Sequence, residues 1–191
     1  MLFYNVSKTE LLKMRKNLVL QTVVPILENK GFAKAPFSSS NYGYVNSQIY
    51  IYEMCRLVDS LYLEFVSVSL SRGDKYIKIY INVFELSPTV DDLSLLKQID
   101  GINYWIPPNL EKRMRIDLDF IKVPPIISWD FWFNDLKLKP YFTRKGYQKR
   151  VHQLTTLLKT KTENIDSYFR EWHQYHHPNI TKWDGSVINK T

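Results

Sequence analysis

The chain has 191 residues, of which 45% are hydrophobic and 24% charged, values typical of a globular protein with a sizeable core. Its single cysteine, Cys55, excludes an internal disulfide and favours a reducing compartment; the N-terminal sequence does not resemble a signal peptide, and no apolar run reaches transmembrane length. The formal net charge is +7. We therefore expect one cytoplasmic domain, residues 1–191, without a membrane partner.

The first part of the chain, residues 1–101, predicts a helix followed by a sheet. Ser7 and Glu10 form a capping box ahead of apolar residues at helical spacing, Pro25 should kink this helix, and Gly31 should end it. Residues 33–47 are rich in Ser, Asn, Pro and Gly and predict a loop. Strands are predicted in "QIYIYEMCRLV", "LYLEFVSVSL" and "YIKIYINVFEL", with a hairpin turn at "SRGDK" and a short helix in "SPTVDDLSLLKQIDG".

The second part divides into an aromatic and Pro-rich connection, residues 102–142, and a basic helical region, residues 143–178. In the connection, "RIDLDFI" alternates as an extra strand would. From Tyr147 to His176 apolar and aromatic residues recur in steps of three, four or seven, which predicts one long helix or two in close succession. The predicted fold is α+β, with an antiparallel sheet of about four to five strands packed against an N-terminal helix and a long C-terminal helix.

Histidines are concentrated in "HQYHHP", residues 173–178. His173 and His177 are four residues apart, a spacing that can hold zinc on one helix face, but Gln174 replaces the glutamate of the metalloprotease motif. Pro178 should end the helix, and histidine is favoured at a helix C-terminus. We expect a solvated helix end, with partner contact as an alternative and no metal or other cofactor.

No catalytic motif emerges elsewhere. Cys55 lies within an apolar strand and should be a core residue. The six glycines are isolated, so they build neither a phosphate loop nor a dinucleotide loop. Asp117 and Asp119 should lie on the solvent-exposed face of their strand. Asp119 and Lys122 are three residues apart, whereas a restriction-type nuclease needs its acid and its lysine two residues apart on one strand. We expect that the protein is not an enzyme.

The basic segment, residues 137–161, carries the strongest functional signal. Between Lys137 and Thr162 eight basic residues occur without an acid, whereas the rest of the chain has 18 basic and 19 acidic residues. Basic and aromatic residues together suit a nucleic-acid backbone or an acidic protein, although a solvated helix face explains some of them. The predicted partner-binding residues are Lys137, Lys139, Arg144, Lys145, Tyr147, Lys149, Arg150 and Trp172.

A second candidate is a tyrosine-bearing sheet face. If the strands form a meander, Tyr50, Tyr52, Tyr76 and Tyr80 should lie near one another and could stack on bases, as RNA-recognition modules do. The alternative is that these tyrosines are half-buried strand residues, which are common in sheets.

The stretches "VLQTVVPILENKGFAK" and "YIYEMCRLVDSLYLEFVSVSL" resemble a bacterial domain of unknown function in which a helix ending P-x-L-x-x-x-G-F precedes an antiparallel sheet. Pro25, Leu27, Gly31 and Phe32 match that motif, and the likeness covers residues 10–86. The chain is also predicted to be a small α+β protein rich in Lys, Ile, Tyr and Asn, and in this respect it is similar to immunity proteins of bacterial toxin systems. That resemblance implies a protein that binds and neutralises a toxin domain.

Immunity proteins against nucleases are usually acidic, whereas this chain is basic. A toxin bound by it should therefore present an acidic surface. Our leading hypothesis is a cytoplasmic protein that binds an acidic protein partner, of the toxin–immunity type. The alternative is a nucleic-acid-binding protein that uses the basic segment.

Overall fold

The computed structural model describes residues 4, 6–98, 109–116 and 135–188. Its α-helices are α1 (Lys8–Leu18), α2 (Val24–Asn29), α3 (Arg144–Glu163) and α4 (Ile165–Tyr175). Its strands are β1 (Ala33–Lys34), β2 (Tyr42–Asn46), β3 (Ile49–Val58), β4 (Tyr62–Ser71), β5 (Ile77–Leu86), β6 (Met114–Arg115) and β7 (Asn179–Thr181). The fold is α+β, as predicted.

The first helical segment begins with the predicted capping box. The Glu10 backbone N–H donates to Ser7 Oγ at 3.1 Å, and the Ser7 backbone N–H donates to Glu10 Oε2 at 2.8 Å. A π-helical turn, Val19–Val23, separates α1 from α2. Because Pro25 has no N–H and its ring crowds the preceding turn, an undisturbed α-helix cannot pass through it, and the π-turn absorbs the predicted break.

The end of α2 follows the predicted glycine stop. Gly31 has a φ of 83°, the left-handed region that favours glycine. The Gly31 N–H donates to Glu28 O and the Phe32 N–H donates to Leu27 O, each at 3.0 Å, which is the hydrogen-bond pattern of a Schellman motif. Within this segment Leu27 is buried, whereas its neighbour Ile26 is only half-buried.

The sheet has seven strands in the described part of the chain, more than the four to five predicted. The long strands β3, β4 and β5 form the predicted antiparallel meander. The two short strands β1 and β2 both pair with β3, so the predicted loop over residues 33–47 contains strand structure. Beyond β5, β6 pairs antiparallel and β7 parallel, so the sheet is mixed at that edge.

The helices cover one face of the sheet. Their apolar residues and those of β3, β4 and β5 form the main core, which includes Leu18, Leu27, Met54, Val66, Ile79, Leu158 and Phe169. The opposite face has a second, smaller core at one end, built from Cys55, Phe65, Phe84 and Leu96 with residues 35–37. Both faces of the meander are therefore buried over part of their length.

The connection differs from the prediction where it is described. The predicted short helix is a 3-10 helix, Leu93–Gln98, and a second one spans Asn109–Lys112. Of the predicted strand "RIDLDFI", only its first residue lies in β6; Asp117, Asp119 and Lys122 fall outside the described residues. The C-terminal helical region is interrupted at Asn164, so of the two predicted alternatives, two helices in succession are observed and not one long helix.

Candidate partner-binding surface

Helices α1 and α3 begin at the same end of the molecule. The Tyr4 backbone N–H, ahead of α1, donates to Phe142 O at 2.9 Å, and the rings of Tyr4 and Tyr147 are 5.6 Å apart. At the other end, Lys30 follows α2 and pairs with Asp166, which follows α3, at 2.5 Å. The starts of α1 and α3 are therefore adjacent, and so are the ends of α2 and α3. The segment α1–α2 and helix α3 thus run in the same direction, and their partially positive N-termini point the same way.

The first turn of α3 carries positive side chains where a helix favours negative ones. Thr143 caps this helix, since its side chain accepts from the Gly146 N–H at 3.0 Å. Arg144 and Lys145 follow the cap, both are exposed, and no acidic residue lies in this turn. Cations at this position oppose the helix dipole, so they reduce the stability of the helix. They also strengthen the positive potential in the solvent next to the start of α3.

An exposed aromatic ring lies beside these cations. Phe142 is 74% exposed, the largest value among the exposed large hydrophobic residues of the described chain. Lys149 is exposed one turn along α3 from Lys145. We call Phe142, Arg144, Lys145 and Lys149 the basic surface. It combines three exposed positive charges with one large exposed apolar side chain.

A cleft of about 310 Å³ adjoins the chain segment that leads into the basic surface. It lies between the start of α1, the β4–β5 hairpin and residues 138–140. We call it the cationic cleft, because five of its lining residues are basic: Lys8, Arg15, Arg72, Lys75 and Lys139. Sequence reasoning placed Lys139 in the functional segment but missed the other four, because nothing in the sequence shows that the hairpin tip lies against α1.

Lys137 and Arg150, two predicted partner-binding residues, are half-buried and contact each other. Arg150 Nε donates to Lys137 O at 3.2 Å, and Arg150 Nη2 donates to Asp135 O. The backbone of Lys137 also forms a β-bridge with Tyr76. These contacts hold the segment before α3 against the helix, so part of the basic segment anchors the chain. Lys139, by contrast, is exposed.

Tyr147 and Trp172, two of the predicted partner-binding residues, lie inside the fold instead of on its surface. Tyr147 is 6% exposed and Trp172 is 0% exposed, and both belong to the main core. Trp172 Nε1 donates to the backbone oxygen of Lys112 at 2.6 Å, so even its polar atom is used inside the fold. Aromatic residues at helical spacing in a basic segment lie on the apolar face of the helix, and that face packs on the sheet.

The predicted tyrosine face does not form, because the tyrosines lie on opposite sides of the sheet. The register pairs Tyr52 with Val68 and Val68 with Ile79, which places Tyr52 on the helix-covered face. Tyr50 shares that face, whereas Tyr80, one residue beyond Ile79, points to the other. Tyr76 is only 9% exposed. A stacking platform of these four residues is therefore excluded.

The histidines do not share one helix face, because α4 ends at Tyr175. His173 lies within the helix, His176 is its C-cap, and His177 lies beyond it. The rings of His173 and His176 pack on Trp172 at 5.2 and 5.3 Å between centroids. Partial burial lowers the pKa of both, with a further contribution from His177 for His173 and from Lys112 for His176. Among the described residues no group of three or more His, Cys, Asp or Glu could hold a metal.

Cys55 is a core residue, as predicted. Its side chain is fully buried, and burial raises the pKa of the thiol to about 12. A thiol held in its neutral form is a poor nucleophile.

No described helix has the length and apolar character required to cross a membrane. Comparison with protein-family models, curated proteins and solved structures finds no match to this chain.

Proposed function

We propose that the protein is a non-enzymatic binding protein that docks an acidic protein partner on the basic surface. The observation that carries this proposal is the first turn of α3, where exposed Arg144 and Lys145 follow Phe142, which is 74% exposed. Cations at this position weaken the helix. Binding of a complementary acidic surface offsets this cost and buries the Phe142 ring.

A protein partner accounts for Phe142 better than a nucleic acid does. Protein interfaces concentrate their energy in large buried side chains, with aromatic residues and Arg enriched, surrounded by charges that steer association. A single-strand binder stacks successive bases on several aromatic rings. In the described basic segment, Tyr147 is core and Tyr141 is half-buried, so Phe142 is the one exposed residue among its Phe and Tyr residues.

The proposal extends to neutralisation of that partner, in the manner of an immunity protein, and to a cytoplasmic location. The first extension rests on the similarity of this chain, a small α+β protein rich in Lys, Ile, Tyr and Asn, to immunity proteins of bacterial toxin systems. The second rests on Cys55, a free and buried thiol that suits a reducing compartment. Nucleic-acid binding remains the second candidate, because Lys145 and Lys149 lie one helical turn apart and could contact neighbouring phosphates.

Charge reversal tests the proposal. The variant Arg144→Glu, Lys145→Glu, Lys149→Glu should lose a partner that the wild type retains in a pulldown from lysate treated with nuclease. Arg150 is left unchanged because it anchors the backbone of residues 135–137. The control Lys13→Glu, Lys97→Glu, Lys182→Glu reverses three exposed lysines elsewhere and should retain the partner.

The alternative predicts a different pattern. If the basic surface binds phosphates, wild-type protein should bind generic RNA or duplex DNA at physiological salt, with a log–log salt slope of about −0.9 per phosphate contacted on duplex DNA. Tight binding of this kind, lost in the Arg144, Lys145 and Lys149 variant, would replace the protein partner with a nucleic acid. Retention of the protein partner by that variant would refute the assignment of the basic surface.

A further inference from the structure

The cationic cleft has the size and walls of a small binding site. Its volume of about 310 Å³ lies at the lower end of the range for small-molecule sites, roughly 300–1,000 Å³. Buried Leu11 and Leu138 contribute apolar wall, while Lys8, Arg72 and Lys139 are exposed at its rim. The cleft therefore joins an apolar wall to a positively charged entrance.

The acids near the cleft are engaged elsewhere. Asp74, the one carboxylate among the lining residues, pairs with Lys78 at 2.7 Å and accepts from the backbone N–H groups of Lys75 and Tyr76. Glu10 accepts from the Ser7 backbone N–H at 2.8 Å and completes the cap of α1. Asp74 offsets part of the positive charge, but the described lining has five basic residues and one carboxylate, so the cleft keeps an excess of positive charge.

Arg15 adds a buried charge beneath the cleft. It is 1% exposed, and its guanidinium donates to three backbone oxygens: to Leu11 O at 3.3 Å, to Tyr76 O at 2.9 Å and to Ser71 O at 3.0 Å. Within the described residues no carboxylate forms an ion pair with it. Asp74 stabilises this buried charge only through space, without an ion pair, and the surrounding low dielectric weakens the screening of the Arg15 field.

We propose that the cationic cleft binds a single anionic group, a phosphate or a carboxylate. The rim cations Lys8, Arg72 and Lys139 contact the anion, and Arg15 attracts it through its field without touching it. Guanidinium and ammonium groups around one anion form charge-assisted hydrogen bonds, which are stronger than neutral ones. The anion is either a small free molecule or an acidic side chain of a protein. This inference does not depend on the basic surface.

Titration with inorganic phosphate at constant ionic strength tests the site, followed by amide chemical shifts in NMR spectra. The amides of Gly73, Lys75 and Leu138 should shift and saturate in the wild type. The variant Arg72→Gln, Lys139→Gln should bind about tenfold more weakly or worse, whereas Lys13→Gln, Lys97→Gln should stay within about twofold of wild type. Shifts that grow linearly without saturation, or equal weakening in both variants, would overturn the proposal.

A second titration separates the two sources of the anion. An acetyl-capped oligoglutamate peptide that displaces phosphate and shifts the same amides identifies an acidic side chain; phosphate binding without peptide binding identifies a small free anion. Absence of saturable binding by both probes rejects the site. The variant Arg144→Glu, Lys145→Glu, Lys149→Glu should still bind phosphate, so failure of the docking proposal and failure of the cleft proposal give different results.

Discussion

Arg56 Nη2 donates to Asp166 Oδ1 at 2.6 Å, and this ion pair joins β3 to the start of α4, 110 residues later in the chain. The same guanidinium donates to Glu64 Oε2 at 2.7 Å and to Lys30 O at 2.9 Å, and it lies over the ring of Phe32 at 4.5 Å. One side chain therefore connects the sheet, the end of α2 and the C-terminal helices.

Replacement of Arg56 by Met should be strongly destabilising. Glu64 is 8% exposed, and the loss of Arg56 leaves its carboxylate buried without its partner, a change that costs about 3–5 kcal/mol. Asp166→Asn should cost less, about 1 kcal/mol, because the Asp166 side chain is 38% exposed. Urea unfolding measures both. The control Lys159→Met removes an exposed ion pair, in which Lys159 Nζ and Glu163 Oε1 are 3.8 Å apart, and should leave the free energy of unfolding nearly unchanged.

The cost of Arg56→Met should also increase with pH. Burial already raises the pKa of Glu64, even though Arg56 lowers it. Without Arg56 the folded-state pKa rises further above the unfolded value, so the folded state binds more protons and loses stability as the pH rises through that pKa. A cost that is equal at pH 5 and pH 8 would contradict this role of Glu64.

Tyr52→Phe should be neutral or stabilising by up to about 1 kcal/mol. The Tyr52 hydroxyl is buried and has no hydrogen-bond partner among the described residues, and burial raises its pKa to about 12, with smaller contributions from Tyr50 and Tyr42. Removal of an unsatisfied polar atom recovers its desolvation cost, while the ring keeps its edge-to-face contact with Tyr42 at 5.5 Å. Thermal unfolding measures the change; a clear loss of stability would indicate that the hydroxyl has a partner.

Leu27→Ala should destabilise the protein by about 2–5 kcal/mol, and Ile26→Ala should cost clearly less. Leu27 is 1% exposed in the main core, whereas its neighbour Ile26 is half-buried. Ser7→Ala should cost about 1 kcal/mol through loss of the α1 cap. Chemical denaturation of the three variants checks this order, and equal effects for Leu27 and Ile26 would contradict the placement of α2.

Trp172→Ala and Phe142→Ala should separate folding from binding. Trp172 is 0% exposed, so its truncation should cost about 3–5 kcal/mol of stability. Phe142 is 74% exposed, so Phe142→Ala should leave the melting temperature nearly unchanged but accelerate dissociation of the partner proposed above. Calorimetry and surface-based binding kinetics measure the two effects. A large stability loss in Phe142→Ala would place that ring in the core instead of the interface.

Stability should fall as the pH decreases from 7.5 to 5.5, partly because of His173 and His176. Partial burial lowers the pKa of both below 6.5, so the unfolded state binds protons first. Their contribution is present above the unfolded pKa and is lost as the pH falls through the folded pKa. The double variant His173→Gln, His176→Gln should show a flatter pH dependence in denaturant unfolding. If the free energy of unfolding of the double variant depends on pH as steeply as that of the wild type, other titratable groups cause the pH dependence.

Local structure was readable from the sequence wherever a residue acts on its own neighbours. Ser7 and Glu10 cap the helix, Pro25 breaks it and Gly31 ends it, because each effect operates within a few residues. The alternation of Ile77, Ile79, Ile81 and Val83 likewise predicted the buried face of β5, since side chains in a strand alternate between faces.

The sequence by itself thus determined the α+β class, the long strands, the helix ends and the segment that holds the excess positive charge. Only the tertiary structure decided on which face of the sheet each side chain lies and which distant residues are in contact. The register of β3, β4 and β5 placed Tyr52 opposite to Tyr80, and a shift of one residue would have reversed this. Packing on the sheet buried Trp172, and the contact of the β4–β5 hairpin with the start of α1 and residues 138–140 brought Lys8, Arg72 and Lys139 to one cleft. These outcomes depend on contacts between distant residues, which local patterns do not encode.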